Sequence, residues 1–396
     1  MKERVILHSD VNNFFASVEV VSRPELASLP VAVTGNPEKR NGIILAKNEI
    51  AKRAGVKTGQ VIGEAKALCP NLVCLPPHYS LYEEISQRLH NMYLEYTNFV
   101  EPLGLDECFL DVTPSLKYLN KSGVEIADEI RERVKKKFGF TVSVGVSFSK
   151  IFAKLGSDLR KPDYTTVIER KDLKDKIYPL PLGSIVGIGR RLEGKFHAIS
   201  VDTIGDFVAL DDSFLENKMG VNGTRLKEDL LGVRIEPVCD YFSLPPPKSI
   251  GNGTTTLKDI EKRKDVEKVI YFLAEKVSYR MIKHKVLAGT LSITIKTKDL
   301  KTYHISRKVN PTNSVDGIAK GCLALADKIW KYNYPIRAIR IKGSNFTSSL
   351  SRQLSFFDNE KPDFSDTLNI INDKYGKIIL ASDMANFINR NSHPQE

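Results

Sequence analysis

Cysteine is scarce in this 396-residue sequence. Cys69, Cys74, Cys108, Cys239 and Cys322 form no CxxC pair, and no histidines stand near them at zinc-ligand spacing. A disulfide framework and a zinc site are therefore unsupported, and the five read as buried, reduced thiols. Long hydrophobic runs are also missing. The opening apolar stretch is only Val5 to Leu7, and no later segment reaches membrane length. No secretory leader and no membrane association are expected, which points to a cytoplasmic protein. Internal repeats and low-complexity tracts are absent. With 41% hydrophobic residues the chain can bury a proper core, and its length suits two to four domains.

What is abundant is positive charge, and it is unevenly placed. The net charge is +11. Between Ile250 and Phe346 there are 20 Lys or Arg against 8 Asp or Glu, a net of +12, while the other 39 and 40 leave −1. A solvated surface would mix both signs, so the concentrated excess suggests a polyanionic partner such as nucleic acid.

The first 170 residues mix strand-like and helix-like segments. Val5 to Leu7 predicts a buried strand ending in a carboxylate, Gly123 to Phe138 an amphipathic helix, and Thr141 to Val146 a strand. Without a regular βαβ rhythm this is an α+β pattern. From Lys171 to Val238 short helices alternate with glycines, and Leu244 to Lys248 (LPPPK) predicts an extended linker. Beyond it, helices over Val266–Lys283 and Asp316–Trp330 precede strands at Thr290–Lys296 and Ile336–Ile341. This βα repetition is read as a separate, basic domain.

Two segments hold the acids on which chemistry could rest. HSDVNNFFASVE, His8 to Glu19, puts Asp10 at the end of a buried strand, and GLDECFLDVT, Gly104 to Thr113, contains the adjacent Asp106 and Glu107. In a regular strand these neighbours would point to opposite faces, so sharing one site requires a turn or bulge. Such acids fit a pair of magnesium ions, which favour oxygen ligands. Taken alone, an Asp-Glu pair is more often a surface turn.

Together, these segments resemble the two metal-binding motifs of the Y-family DNA polymerases, within them the DinB or DNA polymerase IV type. SVGVSFSKIFAKLGSDLRKPDYTTVI, Ser143 to Ile168, is similar to that family's third block. The resemblance implies a right-hand polymerase with the palm at 1–12 and 81–170, fingers at 13–80, and a thumb at 171–238. A linker at 239–249, a DNA-gripping little finger at 250–346 and a tail at 347–396 complete it. It implies low-fidelity, lesion-tolerating synthesis on primer-template DNA from deoxynucleoside triphosphates, by a monomer. Two Mg2+ ions per active site, with Mn2+ able to substitute, are implied to be held by Asp10, the Val11 carbonyl and Asp106, with Glu107 completing the catalytic trio. Phe15 matches the residue that excludes a 2′-hydroxyl, while Phe14 either supports the nucleotide or simply packs.

Lys161 matches the family's phosphate-contacting lysine. Where many relatives carry Thr, Tyr and Arg phosphate contacts, this chain has Ala46, Glu49 and Lys52, so only Lys52 keeps a cation there. IVGIGRRLEGK, Ile185 to Lys195, resembles a helix-hairpin-helix whose Gly187, Gly189 and Arg190 would hold a DNA phosphate. Lys248, Lys258, Lys296, Lys298, Arg307 and Arg340 are further DNA-binding candidates. QLSFF, Gln353 to Phe357, resembles a sliding-clamp-binding peptide, with Leu354, Phe356 and Phe357 as apolar anchors and Gln353 fixing orientation. The alternative readings are a catalytically inactive relative that bridges DNA or protein, and a nucleotidyl cyclase. The first would be favoured by loss of an acid; the second needs neither the basic module nor the tail peptide.

Overall fold

The computed structural model describes residues 3–35, 42–331 and 334–348. The described chain separates into two compact units, with the division at Leu244–Pro245 inside the proline-rich stretch.

In chain order the strands of the first unit are β1 (Ile6–Val11), β2 (Val31–Thr34), β3 (Ile44–Lys47), β4 (Val73–Leu75), β5 (Val100–Pro102), β6 (Glu107–Asp111), β7 (Val142–Ser147) and β8 (Thr165–Ile168). Five make the main sheet in the order β5-β6-β1-β7-β8, and β3-β2-β4 form a second, smaller sheet. In the main sheet only the β7–β8 pair is parallel. Every residue of β1 and β7 is buried, because helices cover the sheet.

The Gly123–Phe138 helix covers one part of the sheet, burying Ile126, Ala127, Ile130, Val134 and Phe138. Its ends follow the sequence closely. Ser122 and Glu125 form a capping box, three lysines close the last turn, and Gly139 adopts φ +77° where a side chain would be strained. The Lys150–Leu159 helix lies so close to β7 that a Cβ on Gly145 would come within 1.9 Å of the Ala153 carbonyl oxygen. Glycine there lets that helix settle against the strand, which matters for Lys154 below.

The segment from Lys171 to Leu231 consists of short helices around Phe196, Ile204, Phe207, Leu215 and Leu230. Its helix Arg190–His197 is capped by Gly189, two residues after Gly187 at φ +100°.

The second unit contains β9 (Ser249–Ile260), β10 (Val286–Thr297), β11 (Thr302–Thr312) and β12 (Ile336–Ser348). They form one antiparallel sheet in the order β11-β10-β12-β9. The helices Arg263–Lys283 and Val315–Ile329 cover one face, closing a core that includes Leu273, Leu291, Ile293, Ile339 and Trp330. The sequence pattern locates both helices and two of the strands. β9 and β11 were not anticipated, so the repetition is βαββαβ rather than a plain βα alternation.

Candidate active site

The carboxylates meet because of strand register. In the β1–β6 pair Asp10 lies directly opposite Glu107, which places the two side chains on one face of the sheet. Asp106 precedes β6 on a bend entered through Gly104 at φ +96°, and its carbonyl accepts the Val11 N–H at 2.9 Å. The bend removes the strand alternation that would otherwise send Asp106 and Glu107 to opposite faces. All three acids line one cleft of about 270 Å³ with Val11, Asn13, Phe14, Phe15, Leu45, Ala46, Lys47, Thr58 and Lys161.

Asn13 sits at φ 54° and ψ 41°, a left-handed turn that starts the Phe14–Val21 helix. The turn sends two neighbouring rings to different places. Phe14 is 3% exposed and packs in the core, while Phe15 is half-buried at the cleft. Phe15 stacks on Tyr82 with centroids 4.3 Å apart and planes 11° apart, and meets Tyr79 edge-on.

Two lysines thread the acids together. Lys154 Nζ lies 2.7 Å from Glu107 Oε1, 3.3 Å from Asp10 Oδ2 and 3.4 Å from Asp158 Oδ2. Lys161 Nζ lies 2.8 Å from both Asp10 Oδ2 and Asp158 Oδ1. His8 Nε2 stands 3.6 Å from Glu107 Oε2, while its Nδ1 hydrogen-bonds Ser157 Oγ at 2.8 Å. Burial pushes the Asp10 carboxyl above its usual range, against the pull of Lys161. Burial and then the neighbouring Glu107 charge push Asp106 up. Burial would raise Glu107 too, but the 2.7 Å hydrogen bond and the charge of Lys154, with His8 nearby, outweigh it and hold that carboxyl low. Lys154 and Lys161 are raised by the acids around them despite burial. One acid is thus firmly ionised, and the other two carry charge that burial disfavours.

Among the described residues, no three His, Cys, Asp or Glu side chains form a ready-made metal cluster. The donors are nonetheless all hard oxygens, two carboxylates already sharing an ammonium and a third beside them, with the Val11 carbonyl in the same cleft. That chemistry suits a divalent cation such as magnesium.

Not every residue nominated from sequence reaches the cleft. Lys161 does; Lys52 does not line it. Its ammonium is 3.2 Å from Glu49 Oε1, and its side chain is half exposed. Glu49 also accepts from Asn13 Nδ2 at 3.1 Å. Lys47, not singled out in the sequence, lines the cleft instead, with Thr58. Lys154 was also missed, although a lysine among Phe152, Ala153, Leu155 and Gly156 on the buried side of a helix was a readable sign.

In the second unit, register separates the candidate cations. Arg340 pairs with Thr294, and Lys296 with Thr302, all alternating with the helix-covered Ile293, Ile295, Ile339 and Ile341. Lys296 and Arg340 therefore point to the uncovered face. Arg307 is opposite Leu291, on the helix side of the edge strand. Lys248, Lys258 and Lys298 are exposed. Gln353, Leu354, Phe356 and Phe357 lie outside the described residues.

Residues 9–158 match the impB/mucB/samB family, and residues 247–356 match the impB/mucB/samB family C-terminal domain. The chain is 41% identical over 360 residues to DNA polymerase IV of Acetivibrio thermocellus, covering 90% of each protein. It is 34% identical over 386 residues to DNA polymerase IV 1 of Bacillus subtilis, covering 96% of this chain and 92% of that one. Among solved structures, the Y-family DNA polymerase chimera Dbh-Dpo4(243-245)-Dbh aligns with a TM-score of 0.76 at 25% identity, over 87% of this chain and 99% of that chain. Fold and site together define a multidomain nucleotidyltransferase with an N-terminal catalytic region and a C-terminal domain. The chain belongs to the Y-family of DNA polymerases, in its DNA polymerase IV branch.

Proposed function

We propose that the cleft between Asp10, Asp106 and Glu107 is where this polymerase adds deoxynucleotides to a primer 3′ end, under template direction and past damaged bases. The observation that carries this reading is the register setting Asp10 opposite Glu107, with Asp106 on the adjoining bend beside Phe15 and Lys161. As a polymerase of this family the enzyme works with divalent metal on primer-template DNA and deoxynucleoside triphosphates. The oxygen donors support magnesium, two ions per site, with manganese as a substitute. Bound there, the pair supplies acidification of the primer hydroxyl and neutralisation of the departing pyrophosphate.

This chain's own residues do the rest. Asp10, Asp106 and the Val11 carbonyl would hold the cations, and Lys154 keeps Glu107 ionised. Before nucleotide arrives, Lys154 and Lys161 balance the acidic charge. Lys161, on the rim of the same cleft, is within reach of a bound phosphate chain. Phe15 excludes a ribose 2′-hydroxyl by its bulk.

In family terms, 1–12 with 81–170 is the palm, 13–80 the fingers, 171–238 the thumb and 250–346 the little finger, joined by 239–249. Gly187, Gly189 and Arg190 grip duplex phosphate from the thumb. Gln353 to Phe357 in the tail docks on a sliding clamp, raising local concentration at the primer end. The enzyme acts as a cytoplasmic monomer.

The test is primer extension with magnesium on undamaged and abasic templates. Asp106→Ala and Glu107→Ala should each lose extension by about three orders of magnitude or more while retaining DNA binding, in line with removal of a metal or charge-stabilising ligand. Full activity in either variant would overturn the assignment. Deleting 353–357 should abolish stimulation by the clamp and leave unassisted extension unchanged; stimulation that survives the deletion would give the tail another role.

A further inference from the structure

We propose that Lys47, rather than Lys52, is the second cation that the cleft offers to the triphosphate of the incoming nucleotide. The proposal rests on the polymerase reading above and deepens it at one subsite.

A bound triphosphate needs cationic partners that are free to meet it. Two lysines line the cleft among the described residues, Lys47 and Lys161. Lys161 is already committed to Asp10 and Asp158 at 2.8 Å each. Lys47 has no carboxylate within ion-pair distance among the described residues; its ammonium donates to the Thr58 hydroxyl at 3.1 Å. Its charge is nevertheless half-buried, and burial together with the nearby Lys52 charge weakens its hold on the proton. Glu49 offsets this only in part and from beyond ion-pair distance, so a partly desolvated ammonium whose one direct partner is neutral gains most from an arriving anion. Lys52 has the opposite situation, exposed and paired with Glu49 outside the cleft.

The backbone supports the same assignment. Lys47 closes β3 and is paired directly across from Ala32, so its position is fixed by the small sheet rather than by a loop. Ala46 beside it also lines the cleft and carries no polar side-chain atom that could meet a phosphate oxygen. Thr58 faces the same space and can donate its hydroxyl to an oxygen once Lys47 turns toward the ligand. Lys47 and Thr58 thus supply, from different positions, a cation and a hydroxyl that Ala46 and Glu49 do not provide.

The experiment is single-nucleotide insertion by the full chain on primer-template DNA, with Lys47→Met, Lys47→Arg and Lys52→Met compared with wild type. Methionine keeps the length of the side-chain stem, and Lys47→Gln serves if the methionine form does not fold. Removing a charged hydrogen bond to phosphate should raise KM for the nucleotide by about tenfold to a hundredfold. The effect on kcat should be much smaller, Lys47→Arg should recover most of the loss, and Lys52→Met should change KM less than Lys47→Met. Inorganic tripolyphosphate should compete with nucleotide in wild type and lose about the same factor in Lys47→Met. An unchanged KM and unchanged tripolyphosphate inhibition in Lys47→Met, or a larger loss in Lys52→Met, overturns the proposal. A wild type that cannot extend primers would instead sink the polymerase reading itself.

Discussion

Phe15 is oriented by what stands behind it. Tyr82, its stacking partner, donates its hydroxyl to Glu19 Oε1 at 2.5 Å. Glu19 is fully buried and is also held by His78 at 2.7 Å and by Arg23 at 3.0 Å. A buried carboxylate with three partners is costly to disturb, so it fixes the tyrosine, and the tyrosine fixes the ring at the cleft. On the gate proposed for Phe15, sugar discrimination should depend on two residues at once. Replacing Phe15 with Ala should relieve a clash of roughly 1–3 kcal/mol, admitting ribonucleotides about tenfold to a hundredfold more readily. Tyr82→Leu should give a smaller shift in the same direction, because the ring remains but loses its backing. Competition between ribo- and deoxynucleotides in single insertion measures both. Unchanged discrimination in Phe15→Ala would remove its gating role.

Among elements, the Tyr79–Tyr93 helix carries a built-in acid sensitivity. His90 in its last turn is 9% exposed, with the Tyr241 ring 5.9 Å away, and burial pushes its pKa down from 6.5 to about 4. The folded form therefore holds His90 neutral, whereas an unfolded chain protonates it below pH 6.5. Between those values the unfolded state binds more protons. Stability is full above about pH 6.5 and falls as the pH drops towards 4, by on the order of 3 kcal/mol. Denaturant unfolding at pH 7 and at pH 4.5 should show this loss, and His90→Phe should lessen it. An equal loss in the variant would place the acid sensitivity elsewhere. Elements of this kind were legible to different degrees. The Gly123–Phe138 helix was readable to the residue because its capping box, apolar spacing and closing glycine all lie within the local sequence. β11 was not, since most of its residues are exposed at a sheet edge and it has no buried alternation to read. β9 was hidden by its glycines and threonines, which resemble a loop. In the cleft, the need for a turn at Asp106 was readable from strand geometry. The bridge from Lys154 to Asp10 joins residues 144 positions apart, and local patterns carry no trace of such a partner.

Over the whole molecule, charge is divided as labour is. The segment from Ile250 to Phe346 holds a net +12 and the remainder −1, so the excess lies on a unit that is not the one containing the acids. Within that unit the antiparallel sheet sorts its cations by face. Gly251 and Gly253 lie opposite Lys342 and Arg340, so this part of the open side carries cations without bulky apolar neighbours. A surface of that kind suits a phosphate backbone, and phosphate contacts carry no sequence information, which fits an enzyme that must copy any sequence. The consequence is measurable in salt. Each phosphate contact removed should lower the slope of log affinity against log salt by about 1. Lys296→Ala and Arg340→Ala, both on the uncovered face, should each show that loss on primer-template DNA of any sequence. Arg307→Ala, on the helix side of the edge strand, should change the slope less. If Arg307 mattered as much as Arg340, the duplex would have to engage the edge of the sheet rather than its face, and the salt slopes of the three variants distinguish these two geometries directly.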